Sequence, residues 1–222
     1  MTPGQAALLA APRWAWLPDV LERWYATPLR AADSATPPEG LPGVLAEWFT
    51  LVGSRLREVQ DSPATPGRLA RDGELVEVWT ENQGCWSLLA GPGEDPVCEL
   101  DDGGYFPAFA PAPLSAVLRG MLMSDTLVAA WSGEPGALGP LAPGVRGGVV
   151  QGPAEAALAA VVAAYPALPL WPNPMWREAP RGDAGTVLRG SEGSWLEWMT
   201  ADEESHARLA AVVDLTGTEE EA

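Results

Sequence analysis

The chain contains no lysine and no isoleucine among its 222 residues, and only two cysteines and one histidine. Every cation is therefore an arginine, apart from any charge on the histidine, which reads as the codon bias of a GC-rich genome and not as a functional signal. Cys85 and Cys98 are too few for a disulfide framework, and neither stands in a CxxC or a Cys/His cluster with metal-ligand spacing. Both are expected as reduced, partly buried thiols, with no metal site. His206 sits beside Glu203, Glu204 and Arg208 with no serine or cysteine nucleophile motif near it in sequence, the pattern of a solvated helix residue and not of a general base. GxSxG, HExxH, a Walker loop and a GxGxxG after a strand are all missing, so no catalytic residue and no cofactor is assigned. No long apolar run exists either: the longest, residues 156 to 170, is broken by Pro166 and Pro169, well short of a bilayer span. Near the N-terminus Pro12, Arg13 and Pro18 interrupt the apolar residues and no basic region leads them, so neither a signal peptide nor a membrane contact is expected and the cytoplasm is the expected location.

Acidity is what the chain has in excess. Thirty Asp and Glu against thirteen arginines give a net charge of -17 and a pI near 4.3. Such a surface repels phosphate backbones, which disfavours nucleic acid, and steers a basic protein partner inward; the same charge also serves solubility alone. A hydrophobic fraction of 47% over 222 residues is enough for one sizeable core.

The order of elements follows from periodicity and punctuation. Residues 3 to 31 carry Trp14, Trp16, Leu17, Val20, Leu21, Trp24 and Tyr25, with Pro18 and Asp19 at a helix start and Pro28 at its stop, an aromatic helical arm. A Pro/Ser/Thr-rich spacer at 33 to 40 precedes a second helix with Leu45, Trp48, Phe49, Val52 and Leu56 on one face and Gly53 as C-cap. Strands are expected at 75 to 80, 86 to 90, 97 to 100 and 105 to 109, then an amphipathic helix from Pro113 to about Trp131. The Gly/Pro-rich stretch 132 to 148 reads as an irregular connection that crosses a face of the domain or stays mobile. An alanine-rich helix from Ala154 to about Tyr165 follows, then a hairpin of 186 to 189 with 195 to 200, and a closing helix from about Asp202 to Val213. The reading is one domain over 1 to 217: an arm (1 to 40), a first part (41 to 131), the connection (132 to 148), a C-terminal part (149 to 217), and a disordered acidic tail at 218 to 222.

The best-specified hairpin is Leu75 to Ala90. Asn82-Gln83-Gly84 suits a three-residue loop, a type I turn closed by Gly84 in the left-handed region. Glu81 has two readings, as an acceptor for the turn's own backbone donors or as a charged contact for a partner. Asp101-Asp102 could chelate a hard cation, but the following glycines and the missing third carboxylate favour a plain turn. Trp24, Trp48, Trp79, Trp86 and Trp198 are assigned to the core, while Trp171 and Trp176, in a proline-rich loop, are the tryptophans expected at the surface.

Taken in order, Leu41-Pro42, the helix with Trp48-Phe49 and Leu51-Val52-Gly53, Glu81-Asn82-Gln83-Gly84 followed by Trp86, and Asp95-Pro96-Val97 resemble the SUKH superfamily, the group related to the yeast cell-wall-assembly regulator. The resemblance covers roughly residues 40 to 213 and is most specific from Glu81 to Gly84 with Asp95-Pro96. It implies an α+β fold with a central, mainly antiparallel sheet flanked by helices. It also implies a non-enzymatic immunity protein that binds and neutralises a cognate toxin, often a basic nuclease, of a polymorphic or contact-dependent system. A housekeeping interaction scaffold of the same fold, and a hydrolase or ligand-binding domain using Glu81, Asp95 or Asp102 in a tryptophan-lined pocket, are the rival readings. Glu81, Asn82, Gln83, Asp95, Asp101, Asp102, Trp171 and Trp176 are the candidate partner-binding residues, with Gly84 a structural turn residue.

Overall fold

A computed structural model describes residues 1–59, 61–83, 85–93, 96–100, 105–107, 112–153, 155–168, 180–191 and 195–215. The acidic tail lies outside them.

Proline and capping residues set the N-terminal third. Helix α1 (Pro3–Leu9) starts on a Thr2 capping box in which Gln5 returns the bond, and the fully buried Gln5 amide also donates to Arg30 O and Leu51 O, each at 3.0 Å. A 3₁₀ turn (Pro12–Trp14) leads into α2 (Leu17–Tyr25), which buries Leu17, Val20, Leu21, Trp24 and Tyr25 on one face and stops at Ala26 in the left-handed region. A second 3₁₀ turn (Ala31–Asp33) precedes α3 (Gly43–Val52). The predicted arm is therefore part of the core: Trp14 is fully buried, stacks on Trp48 at 5.8 Å between centroids, and donates its Nε1–H to Glu47 Oε2 at 2.7 Å. Gly53 caps α3 as expected but in right-handed geometry, and its requirement is space, since a Cβ there would lie 2.6 Å from Phe49 O and 2.8 Å from the Ala35 methyl.

Two antiparallel sheets follow. The class is α+β, as the resemblance implies, with the strands divided between two sheets instead of gathered in one. The first holds β1 (Ser62–Pro63), β2 (Arg71–Asp72), β3 (Leu75–Thr80), β4 (Trp86–Ala90), β5 (Pro96–Leu100) and β6 (Tyr105–Pro107), in the order β1-β3-β4-β5-β6 with β2 also on β3. The second holds β7 (Arg146–Gln151), β8 (Arg181–Gly182), β9 (Thr186–Ser191) and β10 (Trp195–Thr200), in the order β7-β10-β9-β8. Helix α4 (Leu114–Ser132) packs on β7 and β10, while α5 (Glu155–Ala164) and α6 (Glu203–Ala210) complete the chain. Pleating sorts the second sheet: Val187 and Met199 join the main core with α2, α3, α4 and the first sheet, while Leu188, Leu196 and Trp198 meet Val161, Tyr165, Leu209 and Val213 on the opposite face.

The Gly/Pro-rich connection has part of its length in the core. Ala137 and Leu138 are buried, Arg57 N–H donates to Ala137 O at 3.0 Å, and Arg55 Nε donates to Leu138 O at 2.6 Å. Its last residues enter β7, a strand the sequence pattern does not announce. His206 is half-buried, tilted against the Trp198 ring at 5.4 Å between centroids, instead of solvated. Cys85 is exposed instead of partly buried, and the Cys98 side chain is not among those described. The five tryptophans assigned to the core are all buried.

Candidate functional site: an acidic groove at the first sheet's edge

Strand β3 shows how the groove is made. Between Glu77 and Trp79 its register on β4 shifts by a bulge, so Val78 and Trp79 are both buried while Glu77 and Thr80 stay half-exposed. The short β1 then pairs with the end of β3 through Ser62–Thr80 and Pro63–Trp79. Between the β1 loop and β3 lies a groove of about 360 Å³, whose lining includes Glu58, Arg68, Glu77, Thr80, Glu81 and Asn82. An enclosed cavity of about 150 Å³ holds one benzene, so this volume admits about two groups of that size.

Charge in the groove is one-sided. Glu58, Glu77 and Glu81 face one lining cation, Arg68, which is paired with Glu58 at 2.8 Å with both side chains largely exposed. Ser87 Oγ donates across the hairpin toward Glu77 Oε2 at 3.4 Å. Asp61, at the foot of β1, accepts the Asn82 backbone N–H at 3.4 Å. Burial pushes the Asp61 carboxyl above its ordinary range and the Glu81 charge adds to the rise, while the Asn82 bond and the Arg189 charge oppose it.

Of the sequence-derived candidates, Glu81 and Asn82 line this groove and Gln83 follows them at the exposed hairpin tip. Glu81 meets the first of its two readings: Oε2 accepts the backbone N–H of Gln83 at 2.9 Å and of Cys85 at 3.1 Å, while Glu81 N–H closes the hairpin on Trp86 O at 3.1 Å. Residues 81–85 stand between the strand ends at Thr80 and Trp86, a longer connection than the three-residue loop expected. Gly84, Asp95, Asp101, Asp102, Trp171 and Trp176 lie outside the described residues. Sequence reasoning misses Glu58, Asp61, Arg68 and Glu77. Glu77 carries a signal, being the acidic position in an otherwise apolar strand; the others come from irregular segments whose placement local pattern does not encode.

Among the described residues no group of three or more His, Cys, Asp or Glu side chains could hold a metal ion, and no helix is long and apolar enough to cross a membrane. No tryptophan is among the described residues that line the groove. What the arrangement can do is attract and hold cationic groups. No family model, curated protein or solved structure matches the chain.

Proposed function

We propose that this protein is a non-enzymatic, toxin-neutralising binding protein of the immunity type, which covers a basic protein toxin and uses the groove beside β1 and β3 as its docking point for cationic side chains. The observation that carries the reading is the cluster of Glu58, Glu77 and Glu81 in one groove of a chain with net charge -17. The long-range field speeds encounter with a basic surface, and the groove supplies the short-range register. The Glu58–Arg68 pair is exposed, and such pairs contribute only about 0–1 kcal/mol, so a partner's arginine or lysine exchanges for Arg68 at little cost. The resemblance around Glu81 to Gly84 supports the same reading, and neutralisation by covering a toxin asks for no catalytic residue and no cofactor. On this reading the protein works where a cytoplasmic toxin would act.

Co-expression with the product of an adjacent toxin-like reading frame tests it. The two proteins should co-purify, the association rate should fall steeply with salt, and the pair Glu58→Arg with Glu77→Arg should weaken binding at least tenfold. Absence of any such neighbouring frame, or an affinity indifferent to both charge reversals, overturns the proposal.

A further inference from the structure

A second cavity, of about 170 Å³, lies between α2, α4 and the turn that joins β8 to β9, remote in sequence from the groove residues. Its floor is apolar, with buried Val20, Trp24, Met123 and Val187, and its rim carries Trp16, Arg23 and Arg119. This chain has more than two carboxylates for each arginine, yet neither Arg23 nor Arg119 has an ion pair or a hydrogen bond among the described residues. The rim aspartates do not serve them: Asp183 accepts from Gly185 N–H at 2.8 Å and pairs with Arg208 at 3.5 Å, and Asp19 makes no bond to either arginine.

Arg119 is the more informative of the two. Its guanidinium lies over the Trp16 ring at 5.9 Å from the centroid, which satisfies the face of the cation. The N–H groups of a guanidinium point outward in its plane, and a ring beneath them accepts none of them. Its Nε is buried without an acceptor, and burial pushes the group's pKa down, with no described carboxylate opposing it. That Nε is closed to the cavity, so the atoms left to meet a ligand are the two terminal nitrogens of the half-buried side chain, for which the described residues supply no acceptor.

We propose that this cavity is a binding site for a carboxylate carried on an apolar body of about one side chain's size, with Arg119 as its planar anion partner, Trp16 and Trp24 as its walls, and Arg23 at the mouth. A carboxylate matches the guanidinium fork, and 170 Å³ is close to the cavity volume that takes one benzene ring. The site is independent of the acidic groove and of the toxin-binding reading. The shared chemistry comes either as a free small acid or as the C-terminal residue of a protein.

Calorimetry with phenylacetate against phenylacetamide separates charge from shape, and Gly-Gly-Phe with a free or an amidated C-terminus separates the two sources. Phenylacetate should bind at least tenfold more tightly than the amide, and Arg119→Gln should erase that preference while Arg119→Lys keeps part of it. Binding of the free-carboxylate tripeptide as well would assign the site to a protein terminus; its failure to bind would assign it to small acids. Arg119→Met keeps the stem packed on Trp16 and removes the unpaired charge, so the ligand-free melting temperature should hold or rise as binding is lost. No preference for carboxylate over amide, binding unchanged in Arg119→Gln, or a melting temperature several degrees lower in Arg119→Met overturns the assignment, the last by making Arg119 a packing residue.

Discussion

Asp125, on the buried side of α4, accepts the backbone N–H of Ala137 at 2.7 Å, and that bond pulls the Gly/Pro-rich connection into the core. Its surroundings are nearly all unfavourable to charge. Burial raises the carboxyl to about 7 and the Asp61 charge adds to the rise, against the opposing Ala137 bond. Neighbouring Tyr25, whose own ionisation burial pushes far up, hydrogen-bonds with Thr126 Oγ1 at 2.8 Å, and Thr126 in turn donates to Leu122 O.

Stability should therefore fall with pH on account of Asp125. Below the unfolded value of about 4 both states hold the proton and the contribution is fully present; it is lost as pH rises through the folded value near 7, by an amount on the order of 4 kcal/mol. Asp125→Asn keeps an oxygen for Ala137 N–H and does not titrate. Urea unfolding at pH 4.5, 6 and 8 should show the variant gaining on the parent as pH rises, and parallel curves would refute the effect.

Glu81 should separate into two roles by substitution. Glu81→Gln retains an oxygen acceptor for Gln83 and Cys85 N–H, and Glu81→Ala retains none. The alanine variant should lose about 0.5–1.5 kcal/mol, the glutamine variant less. If glutamine preserves the melting temperature yet weakens the basic partner, the charge belongs to binding; equal stability of all three proteins would discard the turn role.

Gly147→Ala should be severely destabilising. A Cβ there would lie 2.6 Å from the Ala130 backbone carbon on α4, so helix and strand must separate, at a cost of about 1–3 kcal/mol or more. Gly67, with nothing within 4 Å of its Cβ position and no positive φ, is the control. Gly67→Ala should be neutral or slightly stabilising in the same thermal melts.

The cross-strand pair Arg189–Glu197 gives a double-mutant test. Both side chains are buried on the face of the second sheet toward α4, where Arg189 also donates to Ser124 Oγ. Arg189→Met leaves the Glu197 carboxylate buried without its cation and should cost about 3–5 kcal/mol. Adding Glu197→Leu should recover most of it. Burial already pushes the Glu197 carboxyl upward with Arg189 opposing, so the single variant should recover part of its loss at acid pH, where the carboxyl protonates.

Elements with a strong local signal are legible in the sequence. β3 and β4 carry β-branched and aromatic runs, α4 carries a long apolar face behind Pro113, and α6 starts on Asp202, whose side chain accepts Ser205 N–H at 2.7 Å. β7 is not legible, because Gly147 and Gly148 disfavour a strand in isolation. They are selected by what presses on them: the α4 backbone against Gly147, and the Trp198 indole within 3.0 Å of a Cβ at Gly148. The hairpin tip is legible as a turn with a carboxylate beside it, and its neighbours Glu58 and Asp61 are not, since irregular segments carry no period that reports their position.

By itself, then, the sequence determined the helices and hairpins whose stabilising interactions lie within a few residues of one another, the core assignment of the large tryptophans, and the net charge. Tertiary structure alone decided the division into two sheets, the burial of Trp14 and of part of the 132–148 connection, the gathering of Glu58, Glu77 and Glu81 in one groove, and the lack of an ion pair between Arg119 and any described carboxylate. The physical reason is range. Capping, turn and amphipathic signals are local free energies, whereas the groove and the unpaired arginine arise from segments far apart in the chain, brought together by burial of a common core.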